Sequence, residues 1–140
     1  MTYWLFKTEP ESWSWEQQKA KGSMGEPWSG VRNHQSANNM KAMKKGERGF
    51  FYHSGKERRI VGIVEVIGEH RPDPTDESGR FGLVEVKAIA DMPKPLTLAT
   101  AKQDPNLADM VLVKFSRLSV QPVRDGEWKY ICKLGGVKEA

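Results

Sequence analysis

The stretch Arg48-Gly49-Phe50-Phe51-Tyr52-His53-Ser54-Gly55-Lys56, followed by Ile60-Val61-Gly62-Ile63-Val64-Glu65-Val66-Ile67, decides the fold class. Arg48 to Ser54 carries three successive aromatics, the composition of a strand. Ser54-Gly55-Lys56 reads as a turn. Ile60 to Ile67 is nearly continuous in apolar residues, so this second strand is expected to be covered on both faces. A short hairpin of this kind places antiparallel pairing at the centre of the chain. After it, His70 to Arg80 holds two prolines, two aspartates and a glycine and reads as a loop. Leu83 to Ile89 then alternates, with Val84, Val86 and Ala88 on one face and Glu85 and Lys87 on the other, the pattern of a half-buried strand.

Upstream, Tyr3 to Lys7 reads as a short aromatic strand that Thr8-Glu9-Pro10 ends, because proline cannot continue a ladder. Ser14-Trp15-Glu16-Gln17 fits a capping box for a helix running to about Lys21, with Gly22 as its terminator. A loop from Gly22 to Gly30 delivers Trp28. Asn33 is a natural N-cap for a second helix whose apolar face carries Ala37, Met40 and Met43 and which Gly46 closes. Downstream, Met92-Pro93-Lys94-Pro95 reads as a connector. Thr97 caps a short helix through Lys102, ended by Pro105. Arg117 to Val123 is a last strand. Asp125 caps a C-terminal helix with Trp128, Ile131, Cys132 and Leu134 on one side and Gly135 just past its end. This order predicts a single α+β domain over residues 1–140: a small, mixed, mostly antiparallel β-barrel surrounded by short helices. No G-x-G-x-x-G or Walker A sequence occurs, which disfavours dinucleotide and P-loop chemistry.

The 140 residues carry 22 Lys+Arg against 18 Asp+Glu, a formal charge of +4 that permits attraction to nucleic acid without establishing it. The single cysteine, Cys132, cannot form an internal disulfide, and with no C-x-x-C pair a zinc site is not expected. The histidines His34, His53 and His70 have no metal-ligand spacing. Neither a metal nor a cofactor is expected. The cysteine usage suits a reducing cytoplasm. No leader segment and no apolar run of about 20 residues is present, so no membrane association is expected.

Pro27-Trp28-Ser29-Gly30-Val31-Arg32-Asn33 gathers an aromatic, a glycine, a guanidinium and a carboxamide just ahead of the second helix. Such a set can build a pocket for a flat polar ligand. Trp28 offers a stacking face, Asn33 a paired donor and acceptor of the kind a base edge requires, and Arg32 a phosphate contact or a stacking plane. The competing reading is a tight turn that buries a core tryptophan.

Several segments together resemble one family. They are residues Tyr3-Trp4-Leu5-Phe6-Lys7-Thr8-Glu9-Pro10, Trp28-Ser29-Gly30-Val31-Arg32-Asn33, Phe50-Phe51-Tyr52-His53-Ser54, Ile60-Val61-Gly62-Ile63-Val64-Glu65-Val66, Asp73-Pro74-Thr75 and Ser116-Arg117-Leu118-Ser119-Val120-Gln121-Pro122-Val123. In this order they resemble the EVE domain over residues 3 to about 134. Each is weak alone; six in register are specific. The resemblance implies a PUA-like barrel, related to RNA-binding PUA domains and to the YTH readers of methylated adenine. It also implies a pocket for a modified base, such as a 5-modified cytosine, in DNA or RNA. Thr8 stands where the family commonly has serine, and Ser29 where it commonly has aspartate, which removes a carboxylate from the pocket rim.

A reader of single bases must rehouse the extruded base between aromatic or apolar walls. Trp28 is the expected wall, with Tyr52 and Phe81 as opposing surfaces, each of which could instead be core. Asn33 is expected to read the base edge or only to cap its helix. His53 and Ser54 end an aromatic strand where side chains can project from a barrel mouth. Thr8 and Glu9 leave the first strand and offer a hydroxyl and a carboxylate. Lys7, Arg32 and Arg117 are the candidate phosphate contacts, which position a ligand without reading sequence. No catalytic residue is assigned: His53 and Ser54 are adjacent on a strand and point to opposite faces, so the histidine is poorly placed to activate the serine. The alternatives are a general RNA-binding or protein-interaction module without base selectivity and, third, a small hydrolase. Any cleavage of the bound nucleic acid would need a separate effector protein.

Overall fold

A computed structural model describes residues 2–115 and 117–137; Ser116, the first residue of one family-like segment, lies outside them. The elements are β1 (Tyr3–Thr8), α1 (Trp15–Ala20), β2 (Glu26–Pro27), α2 (His34–Lys41), β3 (Arg48–His53), β4 (Arg59–Pro72), β5 (Gly82–Thr97), α3 (Leu98–Gln103), α4 (Val111–Lys114), β6 (Val120–Val123) and α5 (Asp125–Gly135). The strands form one sheet in the order β2-β5-β4-β3-β1-β6. Only β1 and β3 run parallel, from Tyr3 opposite Arg48 to Thr8 opposite His53; the other pairings are antiparallel. The expected mixed, mostly antiparallel sheet is therefore present. The expected barrel is not closed by strand pairing among the described residues, and β2 and β6 are the edges. Two features account for this. β2 is two residues long and ends in Pro27, which has no N–H to offer a ladder. The β6 edge is covered by α2: Ser36 Oγ accepts from the Val120 amide at 3.2 Å and Asn39 Nδ2 donates to the Val120 carbonyl at 2.7 Å.

Alternation along the central strands splits the apolar residues between two cores, one on each face of the sheet. Leu5, Phe50, Tyr52, Ile60 and Ile63 join Trp128 and Ile131 of α5 in one. Trp4, Phe6, Phe51, Val64 and Val86 join Trp15, Trp28, Met40 and Met43 in the other. In the first, Trp128 is stacked between Tyr3 and Phe50, with ring centroids at 4.3 and 4.1 Å. In the second, Gly62 makes room for Trp15, since a Cβ there would lie 2.2 Å from the indole. Packing on both faces explains why β1 and β4 read as apolar runs.

Local signals behaved as expected at several points. Ser14 and Gln17 form the capping box of α1, Asn33 caps α2 through the Ser36 amide, and Thr97 caps α3. Others require correction. Met92 to Pro95 is not a connector but part of β5, and the register between Asp91 and Leu96 jumps there, so the exposed Pro93 and Pro95 sit in a bulge that needs no ladder donors. The loop before Trp28 contains a short 3-10 turn and β2. α2 ends at Lys41, five residues before Gly46. The last strand begins at Val120, not Arg117, because the Leu118 N–H bonds back to the Phe115 carbonyl beyond the unforeseen α4 and so is not in the ladder. Asp125 is the first residue of α5 rather than its cap; the Glu127 carboxylate accepts from the Arg124 amide instead. Gly135 is still helical, Gly136 ends the helix, and Leu134 is exposed.

Candidate functional site

A cleft of about 540 Å³ opens on the second core, between the end of β1, the turn after it, and the segment leading from β2 into α2. It lies within the roughly 300–1,000 Å³ usual for small-ligand sites. Its walls come from Thr8, Ser12 and Trp13 on one side, Glu26 to Asn33 on the other, and Ser119.

The wall from Trp28 to Asn33 is built on one buried carboxylate. The Trp28 amide bonds to the Val84 carbonyl at 2.7 Å, extending β2 along the edge of β5. The chain then turns at Gly30, whose φ of +81° is left-handed and whose absent side chain would project into open space. Asp73 is 2% exposed and holds this turn. It accepts from the Gly30 amide at 2.8 Å, the Thr75 amide at 2.8 Å, the Thr75 hydroxyl at 2.6 Å and Arg32 Nη1 at 3.2 Å. Burial alone would push its carboxyl up. The Thr75 hydroxyl, the two amides and Arg32 outweigh that and hold it at about 2. Arg32 also donates to the Val31 carbonyl and to Thr75 Oγ1, and its guanidinium lies 5.7 Å from the Phe81 ring centroid.

The opposite wall depends on a second local lock. The Thr8 hydroxyl donates to the Trp13 carbonyl at 3.1 Å, and the Ser12 and Trp13 amides donate to the Glu9 carbonyl. This tight turn carries the half-buried Trp13 to the cleft, where Trp13 Nε1 donates to Gln18 Oε1 at 2.9 Å. Asn33 closes the near end; its Oδ1 accepts from the Ser36 amide at 2.9 Å. Capping thus occupies the carboxamide oxygen while the side chain remains exposed at the cleft.

The structure brings Lys7, Thr8, Trp28, Arg32 and Asn33 to the cleft and leaves the other candidates outside its lining. Trp28 is only 7% exposed and packs edge-on against Phe6 and Phe51, so most of its ring is core. Tyr52 is 2% exposed in the opposite core, because even-numbered positions of β3 face α5. Lys7 lies with its ammonium 5.6 Å from the Tyr52 ring centroid, and burial pushes its pKa down. His53 is 8% exposed and fully engaged: Nε2 accepts from the Trp15 amide at 3.0 Å and Nδ1 meets Glu57 Oε1 at 2.9 Å. It anchors the start of α1, and the accepting Nε2 fixes the proton on Nδ1. The Ser54 amide bonds to the Thr8 carbonyl, joining the ends of β3 and β1. Glu9 is exposed on the turn. Phe81 lies behind Arg32, 5.0 Å from the His34 ring. Arg117 lines a neighbouring groove with Asn33, Gln35, Phe115 and Leu118. Sequence reasoning missed Trp13 and the role of Asp73. The hydroxyl of Thr8 five residues before Trp13, and the Asp-x-Thr turn signature at Asp73, are the local signals that point to them.

The fold and this cleft can be set beside known proteins. A structure from Agrobacterium tumefaciens is 49% identical, covers 100% of this chain and 97% of its own, and superposes with a TM-score of 0.95. Human thymocyte nuclear protein 1 is 32% identical over 95% of this chain and 73% of its length. The human THYN1 protein in complex with 5-methylcytosine-containing DNA has a TM-score of 0.89 at 32% identity, covering 96% of this chain and 98% of its own. A YTH domain from Zygosaccharomyces rouxii, in complex with N6-methyladenosine RNA, shares the fold with a TM-score of 0.56 at 21% identity, covering 96% of this chain and 86% of its own. The EVE domain matches residues 2–134, so the segments that wall the cleft fall within the matched region, and the chain belongs to the EVE domain family.

Proposed function

We propose that this protein binds nucleic acid without chemical turnover and houses one modified base, a 5-modified cytosine, in the cleft between Trp13 and Trp28. One observation carries the reading: an aromatic-edged cleft of base-accommodating volume, with the Asn33 carboxamide at its rim and the unobstructed backbone of Gly30 in its wall. Aromatic surfaces recover about 1–3 kcal/mol of the stacking a base loses on extrusion. The Asn33 amide nitrogen, not used in capping, is a donor for a base edge. The binding of 5-methylcytosine DNA by the similar human THYN1 protein supports the base class. A hydrolase built on His53 and Ser54 is disfavoured, since both ring nitrogens of His53 are occupied by Trp15 and Glu57. A reducing, cytoplasmic setting is part of the same proposal and is supported by the single, buried Cys132. So is a separate effector protein that would act on the bound nucleic acid.

The test is an anisotropy panel of short single- and double-stranded oligonucleotides carrying cytosine, 5-methylcytosine, 5-hydroxymethylcytosine or N6-methyladenine, with wild type and Trp13→Ala. A preference of about 10-fold, equivalent to ~1.4 kcal/mol, for a 5-modified cytosine that collapses in the variant is expected. Equal, salt-sensitive binding to every oligonucleotide would replace this reading with a module lacking base selectivity. Turnover of any of them would favour the hydrolase.

A further inference from the structure

Beside the cleft lies a second, shallower depression of about 400 Å³, lined by Asn33, Gln35, Phe115, Arg117 and Leu118. Asn33 lines both, so the two adjoin at the start of α2. Phe115 is 60% exposed, and among the described large hydrophobic residues it is the exposed aromatic. After α4, the Leu118 amide donates to the Phe115 carbonyl. Gln35 offers a second carboxamide, of which Nε2 donates to Asn39. Among the described residues, no carboxylate lines the depression. An exposed phenyl ring beside a guanidinium and a carboxamide, with no anion to repel phosphate, has the composition of a single-strand nucleic-acid contact.

Resting on the proposed base-binding role of the cleft, we infer that this depression receives the nucleotide adjacent to the housed base. Extruding one base strips its neighbour of a stacking partner. Phe115, beside the mouth of the cleft, replaces that partner, while Arg117 meets the intervening phosphate. Phosphate contact by Arg117 contributes no base preference, and stacking on Phe115 is tolerant of base identity. The depression therefore adds affinity for a strand over a free nucleoside without altering which modified base is chosen.

The experiment compares 5-methyl-2′-deoxycytidine with a trinucleotide carrying 5-methylcytosine at its centre, each titrated by NMR into wild type, Phe115→Ala and Arg117→Gln. Wild type is expected to bind the trinucleotide roughly 10- to 100-fold more tightly than the nucleoside. Phe115→Ala should remove most of that ratio and leave nucleoside affinity within about twofold. Arg117→Gln should reduce the ratio and lower the salt slope for the trinucleotide by about one. Both side chains are exposed, so both variants should fold as wild type does. A full ratio retained in Phe115→Ala, equal weakening of nucleoside and trinucleotide, or a wild type that binds both equally overturns this inference alone. Failure of wild type to bind either ligand overturns the base assignment of the cleft, and this inference with it.

Discussion

Two tryptophans edge the cleft, and their surroundings assign them different work. Trp28 is anchored between Phe6 and Phe51, so Trp28→Ala opens a void in the second core and should cost about 3–5 kcal/mol in chemical denaturation. Loss of binding in that variant would report unfolding as much as lost stacking. Trp13 sits half-exposed on its turn, so Trp13→Ala should weaken binding by about 1–3 kcal/mol with a much smaller loss of stability. Asn33 can be divided in the same way. Asn33→Ser keeps an oxygen for the Ser36 amide and should cost only a few tenths of a kcal/mol, whereas Asn33→Ala should cost ~1 kcal/mol. A base-edge contact through the carboxamide is lost in both. Binding that falls in Asn33→Ser at unchanged stability therefore separates reading from capping. Asp73 is the third residue at this scale. Its carboxyl is held at about 2, below its ordinary 3.8, so its contribution is complete above about pH 4 and disappears as pH falls toward 2. Asp73→Asn should flatten the stability profile between those values. At neutral pH it should cost about 2 kcal/mol, because charge-assisted bonds to the Gly30 and Thr75 amides are weakened.

At the scale of elements, the close approach of α1 to β4 is a tight constraint. A Cβ on Gly62 would fall 2.2 Å from Trp15 Cζ2, and Trp15 is also held by Nε1 donating to Asp91 at 2.7 Å and by its amide donating to His53. The indole has little freedom to retreat. Gly62→Ala should therefore destabilise the protein by about 1–3 kcal/mol, measurable in urea melts, and loosen α1. What the sequence made legible followed the range of each interaction. The caps at Ser14, Asn33 and Thr97 act within three residues, so their signatures lie side by side in the chain. The hairpin of β3 and β4 was equally local. Pro93 and Pro95 misled because a bulge, set by pairing with a distant strand, removed the need for their missing donors. The placement of Tyr52 away from the cleft turned on which face of the sheet each core occupies, a question alternation poses but cannot answer without the partner helices. The cleft itself joins Gly30 to Asp73 across 43 positions, a separation at which no short motif speaks. The family-like segments at Trp28 and Asp73 marked both ends of that bond without revealing that they meet.

At the scale of the whole molecule, a net charge of +4 permits attraction to phosphate, and the placement of individual cations sets how many phosphates are met. Of the three cations considered for phosphate, Arg32 is engaged by Asp73 and Thr75, and the Lys7 ammonium lies against Tyr52. Arg117 is placed on the open depression. Of these three, Arg117 is the one placed to meet a phosphate, and one such contact gives a slope of log K against log salt of about −1 on duplex DNA. A fourfold rise in salt should then weaken binding by roughly fourfold. A protein gripping the backbone with six or more cations would lose about 1,000-fold or more over the same range. On the proposed reading, the discrimination between modified and plain cytosine should stay constant across that titration, because housing a base in the cleft releases no counterions. Measured with the oligonucleotide panel at several salt concentrations, parallel lines for modified and unmodified ligands fit a base-housing cleft with a lightly charged approach. Lines that converge as salt rises would instead show that the apparent preference is electrostatic.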